Sequence, residues 1–117
     1  FLKFPHLIKT HSVPDHINHA YYRIYGRLNI EKLKKNWSRD KVIEEINKRG
    51  VPCFSGSCPE IYMEKAFRNS NFRPKKRLSN AKHLGESSIA FLCHPTLKQT
   101  DLKYMSMIIE DVFKKAS

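Results

Sequence analysis

The stretch SIAFLCHPTLKQTDLKYMSMIIEDVF, residues 88–113, reads as a strand, a stop and a helix in succession. Ser88 to Cys93 is continuously apolar and too short for a helix, the pattern of a central strand buried on both faces. Pro95 ends it, because proline has no amide hydrogen for the ladder. Thr100 then caps a helix that Asp101 opens at its positive end. Leu102, Met105, Ile108, Ile109, Val112 and Phe113 recur at steps of three and four, one apolar stripe facing a core.

Upstream, Arg77 to Leu84 makes a short helix with Leu78, Ala81 and Leu84 on one side, and Gly85 is its expected stop. Before it lies VPCFSGSCPEIYMEKAF, residues 51–67. Val51 to Phe54 is extended, and Pro52 and Gly56 punctuate a turn-rich loop. Ser57 and Glu60 have capping-box spacing, with Pro59 in the first turn of a helix from about Cys58 to Asn69. Ile61, Tyr62, Ala66 and Phe67 are its expected buried side. Loop amides ending at a helix start make a candidate anion seat, against which stands an ordinary capped connection. Asn69 to Lys76 is polar and basic, a loop.

Ser38 caps an earlier helix through Arg49, with Val42, Ile43 and Ile46 buried and Gly50 as its end. HAYYRIYGRL, residues 19–28, alternates Ala20, Tyr22 and Ile24 against Tyr21, Arg23 and Tyr25, a strand with both faces partly covered. Residues 1–18 mix Phe1, Leu2, Phe4, Leu7 and Ile8 with Pro5, Pro14 and several histidines. They are expected to be extended chain connecting to, and lying against, another domain, with residues 19–117 as the small domain proper. The fold class is α+β, a small sheet covered by helices mainly on one face.

A chain of 117 residues is one domain by length and can bury a core without staples. Its 40% hydrophobic and 28% charged content is that of a globular protein. No apolar run reaches the ~20 residues of a membrane span, and the N-terminus has no signal-peptide pattern. Three cysteines cannot all pair, so reduced thiols in the cytoplasm are expected. The first residue is phenylalanine, which points to a piece of a longer chain. A net charge of +11 predicts an anionic partner or a solvated lysine surface.

The chemistry-bearing residues make no self-evident constellation. Cys53, Cys58, Cys93 and His94 are zinc-ligand types, but their spacing is wider than the usual tight pairs, and Cys93 falls in the apolar strand. His6, His11, His16 and His19 have only Asp15 as an acidic companion. Cys93 and His94 are adjacent on a strand and so point apart, which argues against a nucleophilic dyad. The carboxylates, among them Glu44, Glu45, Glu110 and Asp111, fall mostly on helix surfaces beside lysines. Arg73, Lys75, Lys76, Arg77 and the tyrosines of residues 19–28 suit a basic nucleic-acid or anion-binding module. No named nucleic-acid motif is present, and the cations are scattered rather than gathered.

Taken in order, HAYYRIYGRL, WSRDKVIEEINKRGVPC, SCPEIYMEKAF and NAKHLGESSIAFLCHPTLKQTDLKYMSMIIEDVF resemble the C-terminal small domain of the DegT/DnrJ/StrS family of sugar aminotransferases. The resemblance covers His19 to Phe113. It implies the minor-domain fold of fold-type I enzymes that use pyridoxal phosphate. It implies a parent enzyme that is a homodimer and moves an amino group from an amino-acid donor to a keto group of a nucleotide-linked sugar. The cofactor lysine and the acid that holds the pyridine nitrogen belong to an upstream large domain, so no catalytic or cofactor-binding residue is assigned here. The fragment is expected to bind no cofactor and to be inactive alone, its part being to close the active site and support the dimer. His94, Ser55, Ser57 and Tyr62 are the candidates to reach substrate. For His94 the alternative is that it simply holds the following turn.

Overall fold

The computed structural model describes residues 3–117, so the expected roles of Phe1 and Leu2 lie outside the described residues. Strands β1 (Ile8–Thr10), β2 (Arg23–Leu28), β3 (Cys53–Ser55) and β4 (Ser88–Leu92) form one antiparallel sheet in the order β1-β2-β4-β3. Helices α1 (Arg39–Asn47), α2 (Ser79–Ser87) and α3 (Gln99–Ala116) accompany it. The α+β class and the central position of the apolar 88–92 strand are as the sequence predicts.

Register divides the sheet into two chemically different faces. Ile8 lies opposite Leu28, Gly26 opposite Ile89, and both Ile24 and Cys53 opposite Phe91. This inner face packs on Val42 and Ile46 of α1 and on Ile108, Val112 and Phe113 of α3. Gly26 sits in that layer because a Cβ there would come within 2.7 Å of Ile8 Cδ1. The residues between them, Lys9, Arg23, Tyr25, Arg27, Phe54 and Leu92, point the other way. There α2 lies beside β2 and leaves most of the outer face uncovered.

The helices are tied to the sheet by side chains the sequence supplies locally. Ser38 Oγ accepts the Lys41 amide, the expected cap. Arg39, next to it, donates from Nη1 to the Ser88 carbonyl at 2.9 Å and so fixes the start of α1 against the start of β4. Asn47, at the other end of α1, both donates to the Cys53 carbonyl (2.8 Å) and accepts the Cys53 amide (2.9 Å). It acts as one residue of a strand on the outer edge of β3. Gly50 follows with φ 76°, the left-handed conformation that ends the helix segment.

Several boundaries differ from the sequence reading, each for a local reason. Within residues 1–18, Ile8–Thr10 forms the edge strand and Leu7 is fully buried in this chain's own core. The strand expected from His19 begins at Arg23. Tyr21 has φ 49°, and its amide donates to His19 Nδ1 at 2.8 Å, so the chain turns where alternation was expected. The helix expected over 58–69 is two single 3-10 turns, Ile61–Met63 and Lys65–Phe67, and Ile61 and Ala66 are exposed. Gly85 does not stop α2, which runs on to Ser87. Its lack of a side chain admits Pro59, whose Cβ would lie 3.0 Å from an added methyl. Lys98, not Thr100, is the cap residue of α3, its amide donating to Asp101 Oδ2 at 2.8 Å. Leu102, in the first turn, is exposed, and Cys93 lies past the end of β4, half-buried.

Candidate functional site

The Glu60 carboxylate organises the loop between β3 and α2. It takes two hydrogen bonds from the Arg77 guanidinium, at 2.7 and 2.6 Å, and one from the Tyr62 hydroxyl at 2.7 Å. Those donors, Arg77 first, hold its pKa down at about 2. A carboxylate engaged by Arg77 is not available to cap residues 57–60, which is why the capping box fails and tight turns replace the helix. The Tyr62 hydroxyl in turn accepts the Leu78 amide at 2.9 Å, directly before α2. Burial, with the neighbouring Glu60, raises the Tyr62 pKa.

This clamp sets one wall of an open groove of about 1010 Å³ on the outer face of the sheet. Leu78, Ala81 and Leu84 of α2 form its apolar side together with Pro59. Gly56, Ser57 and Cys58 close one end, Tyr25 and Ser88 contribute from the sheet, and Lys9, His11 and Arg27 give it a basic rim. Gly56 is required there, since a Cβ would stand 2.6 Å from Ser88 Oγ. Further along the same face, Arg23 lies 5.4 Å from the Tyr22 ring centroid and 5.6 Å from that of Phe54. Its Nε is buried with no hydrogen-bond partner among the described residues.

The four residues proposed from sequence to reach substrate do not converge. Ser57 lines the groove, and Ser55 is exposed at the end of β3, opposite Ile89. Tyr62 is half-buried, with its hydroxyl engaged on both sides. His94 is at the opposite end of β4. Its Nδ1 lies 2.6 Å from Thr96 Oγ1 and its carbonyl accepts the Leu97 amide, so it holds the turn into α3. Sequence reasoning named Tyr25 only as one of the tyrosines of residues 19–28 and missed Lys9 and Arg27. Their side chains meet only through a strand register that no local pattern announces.

Among the described residues no three His, Cys, Asp or Glu side chains gather at metal-ligand distance. Burial pushes the Cys53 thiol up to about 12, and Cys58, exposed, donates to Glu64 Oε1, which raises its pKa too. Neither is an activated thiolate. Nor do the residues present fit pyridoxal phosphate on their own. The cofactor needs a lysine amine enclosed and kept uncharged, and every lysine among the described residues is exposed. No helix among the described residues is long and apolar enough to cross a membrane.

No family model and no curated protein matches the chain. Solved structures do. An aminotransferase from Psychrobacter cryohalolentis superposes with a TM-score of 0.88 and 42% identity over 97% of this chain. The aminotransferase TlmJ from Streptoalloteichus hindustanus (TM-score 0.74) and a DegT DnrJ EryC1 StrS aminotransferase from Brucella abortus (TM-score 0.69) each share 16% identity over 92% of it. The chain spans only 30%, 26% and 26% of those three proteins, as one domain of a larger enzyme would. The chain therefore has the fold of part of these aminotransferases, one of them a DegT DnrJ EryC1 StrS aminotransferase, and shares close sequence likeness with the Psychrobacter aminotransferase, in line with the resemblance read from its sequence.

Proposed function

We propose that the protein carrying this chain is a pyridoxal-phosphate-dependent aminotransferase acting on a keto group of a nucleotide-linked sugar, and that this chain is its C-terminal small domain. The observation that carries the reading is the 42% identity with an aminotransferase over almost the whole chain, combined with coverage of less than a third of that enzyme. The outer sheet face supports it. The uncovered face, with the buried, unpartnered Nε of Arg23, has the character of a surface completed by the rest of an enzyme.

In this reading the large domain supplies the cofactor lysine, and the small domain closes the active site and supports a dimer. The groove with Ser57 and its basic rim faces the anionic substrate. Ser55, Tyr62 and His94 reach substrate only from where their present duties leave them. The domain alone is inactive.

The test incubates the purified protein with pyridoxal phosphate, L-glutamate and a panel of nucleotide-linked keto sugars. Mass spectrometry should find one sugar converted to its amino form, with loss of glutamate. Absence of any amino sugar, together with tight and steeply salt-dependent RNA binding, would replace this reading by that of a basic nucleic-acid module.

A further inference from the structure

Tyr21 is the one residue other than glycine with a positive φ, 49°, among the described residues. That region brings Cβ against the following carbonyl oxygen, so a tyrosine is held there at a cost. What holds it is a hydrogen bond two residues back, the Tyr21 amide donating to His19 Nδ1 at 2.8 Å. The cost of the conformation and the net worth of one such bond are of the same order, so the turn stands only while the bond does. An imidazole accepts at Nδ1 only when neutral; once protonated, both ring nitrogens are donors. The groups that face the ring do not hold a cation in place. The Tyr21 ring lies 4.4 Å away and the His11 ring 6.1 Å away, centroid to centroid, and neither offers a carboxylate. Asp15, the one acid between β1 and β2, makes no ion pair among the described residues. The side-chain pattern itself favours the other conformation. Residues 20–25 alternate as a strand does, and in the register of Arg23 against Leu92 an extended Tyr22 and Tyr21 would continue β2 beside Cys93 and His94.

We propose that His19 and Tyr21 are a pH-sensitive switch in the backbone. With His19 neutral the chain turns ahead of β2. With His19 protonated, a donor at Nδ1 faces the Tyr21 amide, the bond is lost, Tyr21 passes to extended backbone, and β2 lengthens towards His19. Arg23 lies 5.4 Å from the Tyr22 ring centroid in the turned state. Extension puts neighbouring side chains on opposite faces, so Tyr22 leaves Arg23 and the outer face of the sheet changes shape in mildly acid solution. The proton is the whole of the ligand, and the inference is independent of the reaction proposed above.

NMR of the protein labelled with 15N-tyrosine, from about pH 8 down to about pH 5, spans ordinary histidine titration and tests the switch. The Tyr21 amide should move in step with the His19 ring protons, and its amide–Hα coupling should rise from the left-handed value to the larger one of extended backbone. Tyr104, on α3, should stay where it is. His19→Asn puts a carbonyl oxygen in place of the ring nitrogen. It accepts the same amide as an Asx turn and does not titrate, so Tyr21 should keep its left-handed coupling throughout. His19→Leu removes the acceptor and should give the extended coupling at every pH. A Tyr21 coupling that stays constant while the His19 ring titrates would overturn the proposal. So would a transition that persists in His19→Asn, or one in which Tyr104 moves together with Tyr21, the sign of general unfolding.

Discussion

Asn47 shows how much of this fold one polar side chain can carry. Its amide completes both hydrogen bonds of Cys53 on the free edge of β3, a three-residue strand whose other edge pairs with β4. Asn47→Ala should cost about 1–2 kcal/mol, two neutral hydrogen bonds' worth, measured by urea denaturation. Asn47→Asp keeps the acceptor and loses the donor, and should fall between. Glu60 makes a prediction in pH. Its pKa in the folded chain is about 2, well below the ordinary glutamate value of roughly 4.3. Its contribution is therefore full above the ordinary value and is lost as pH falls towards 2. Melting temperature should drop over that window, and Glu60→Gln should flatten the drop. Glu110, held near 2 by Lys3 and Lys114, and Asp111, held near 2 by Lys115 and Arg49, add to the same slope and leave part of it in the variant.

Among the elements, those whose pattern is self-contained were legible in the sequence, and those decided by a distant partner were not. The stripe of α3, the Ser38 cap and the apolar β4 each follow from neighbours within a few residues. Residues 58–69 look helical locally, with a capping box and an apolar side. Arg77, seventeen positions beyond Glu60, takes the carboxylate that the box needs. β1 escaped notice because three residues, Ile8–Thr10, make no periodic signal. Gly85 reads locally as a helix stop, since sequence cannot show that Pro59 packs against it. Gly85→Ala tests that contact. An ordinary, uncrowded helix interior would gain up to about 1 kcal/mol from alanine. The collision with the rigid Pro59 ring predicts instead a net loss of about 1–2 kcal/mol, read as a lower denaturation midpoint.

For the whole molecule, the candidate site was legible only as chemistry. The excess of cations predicts an anionic partner, and the family resemblance implies a sugar nucleotide, but of Ser55, Ser57, Tyr62 and His94 only Ser57 lines the groove. The groove is instead built by sheet register, α2 and the Glu60 clamp. Its core is conventional: Phe113, fully buried between α3 and the sheet, should cost about 3–5 kcal/mol on truncation to alanine. What is unusual is the asymmetry of the sheet, dry and helix-covered on one face, aromatic, cationic and open on the other. That asymmetry is the physical content of the claim that the domain is completed by the body of a larger enzyme.

Hydroxyl-radical footprinting of the protein that carries this chain reads that claim directly. In the chain itself Tyr22 and Phe54 on the outer face are exposed, as is Met107 on α3. If the outer face is where the rest of the enzyme sits, Tyr22 and Phe54 should be strongly protected and Met107 freely labelled. Labelling of Tyr22 and Phe54 at the rate their exposure in this chain dictates would contradict the account.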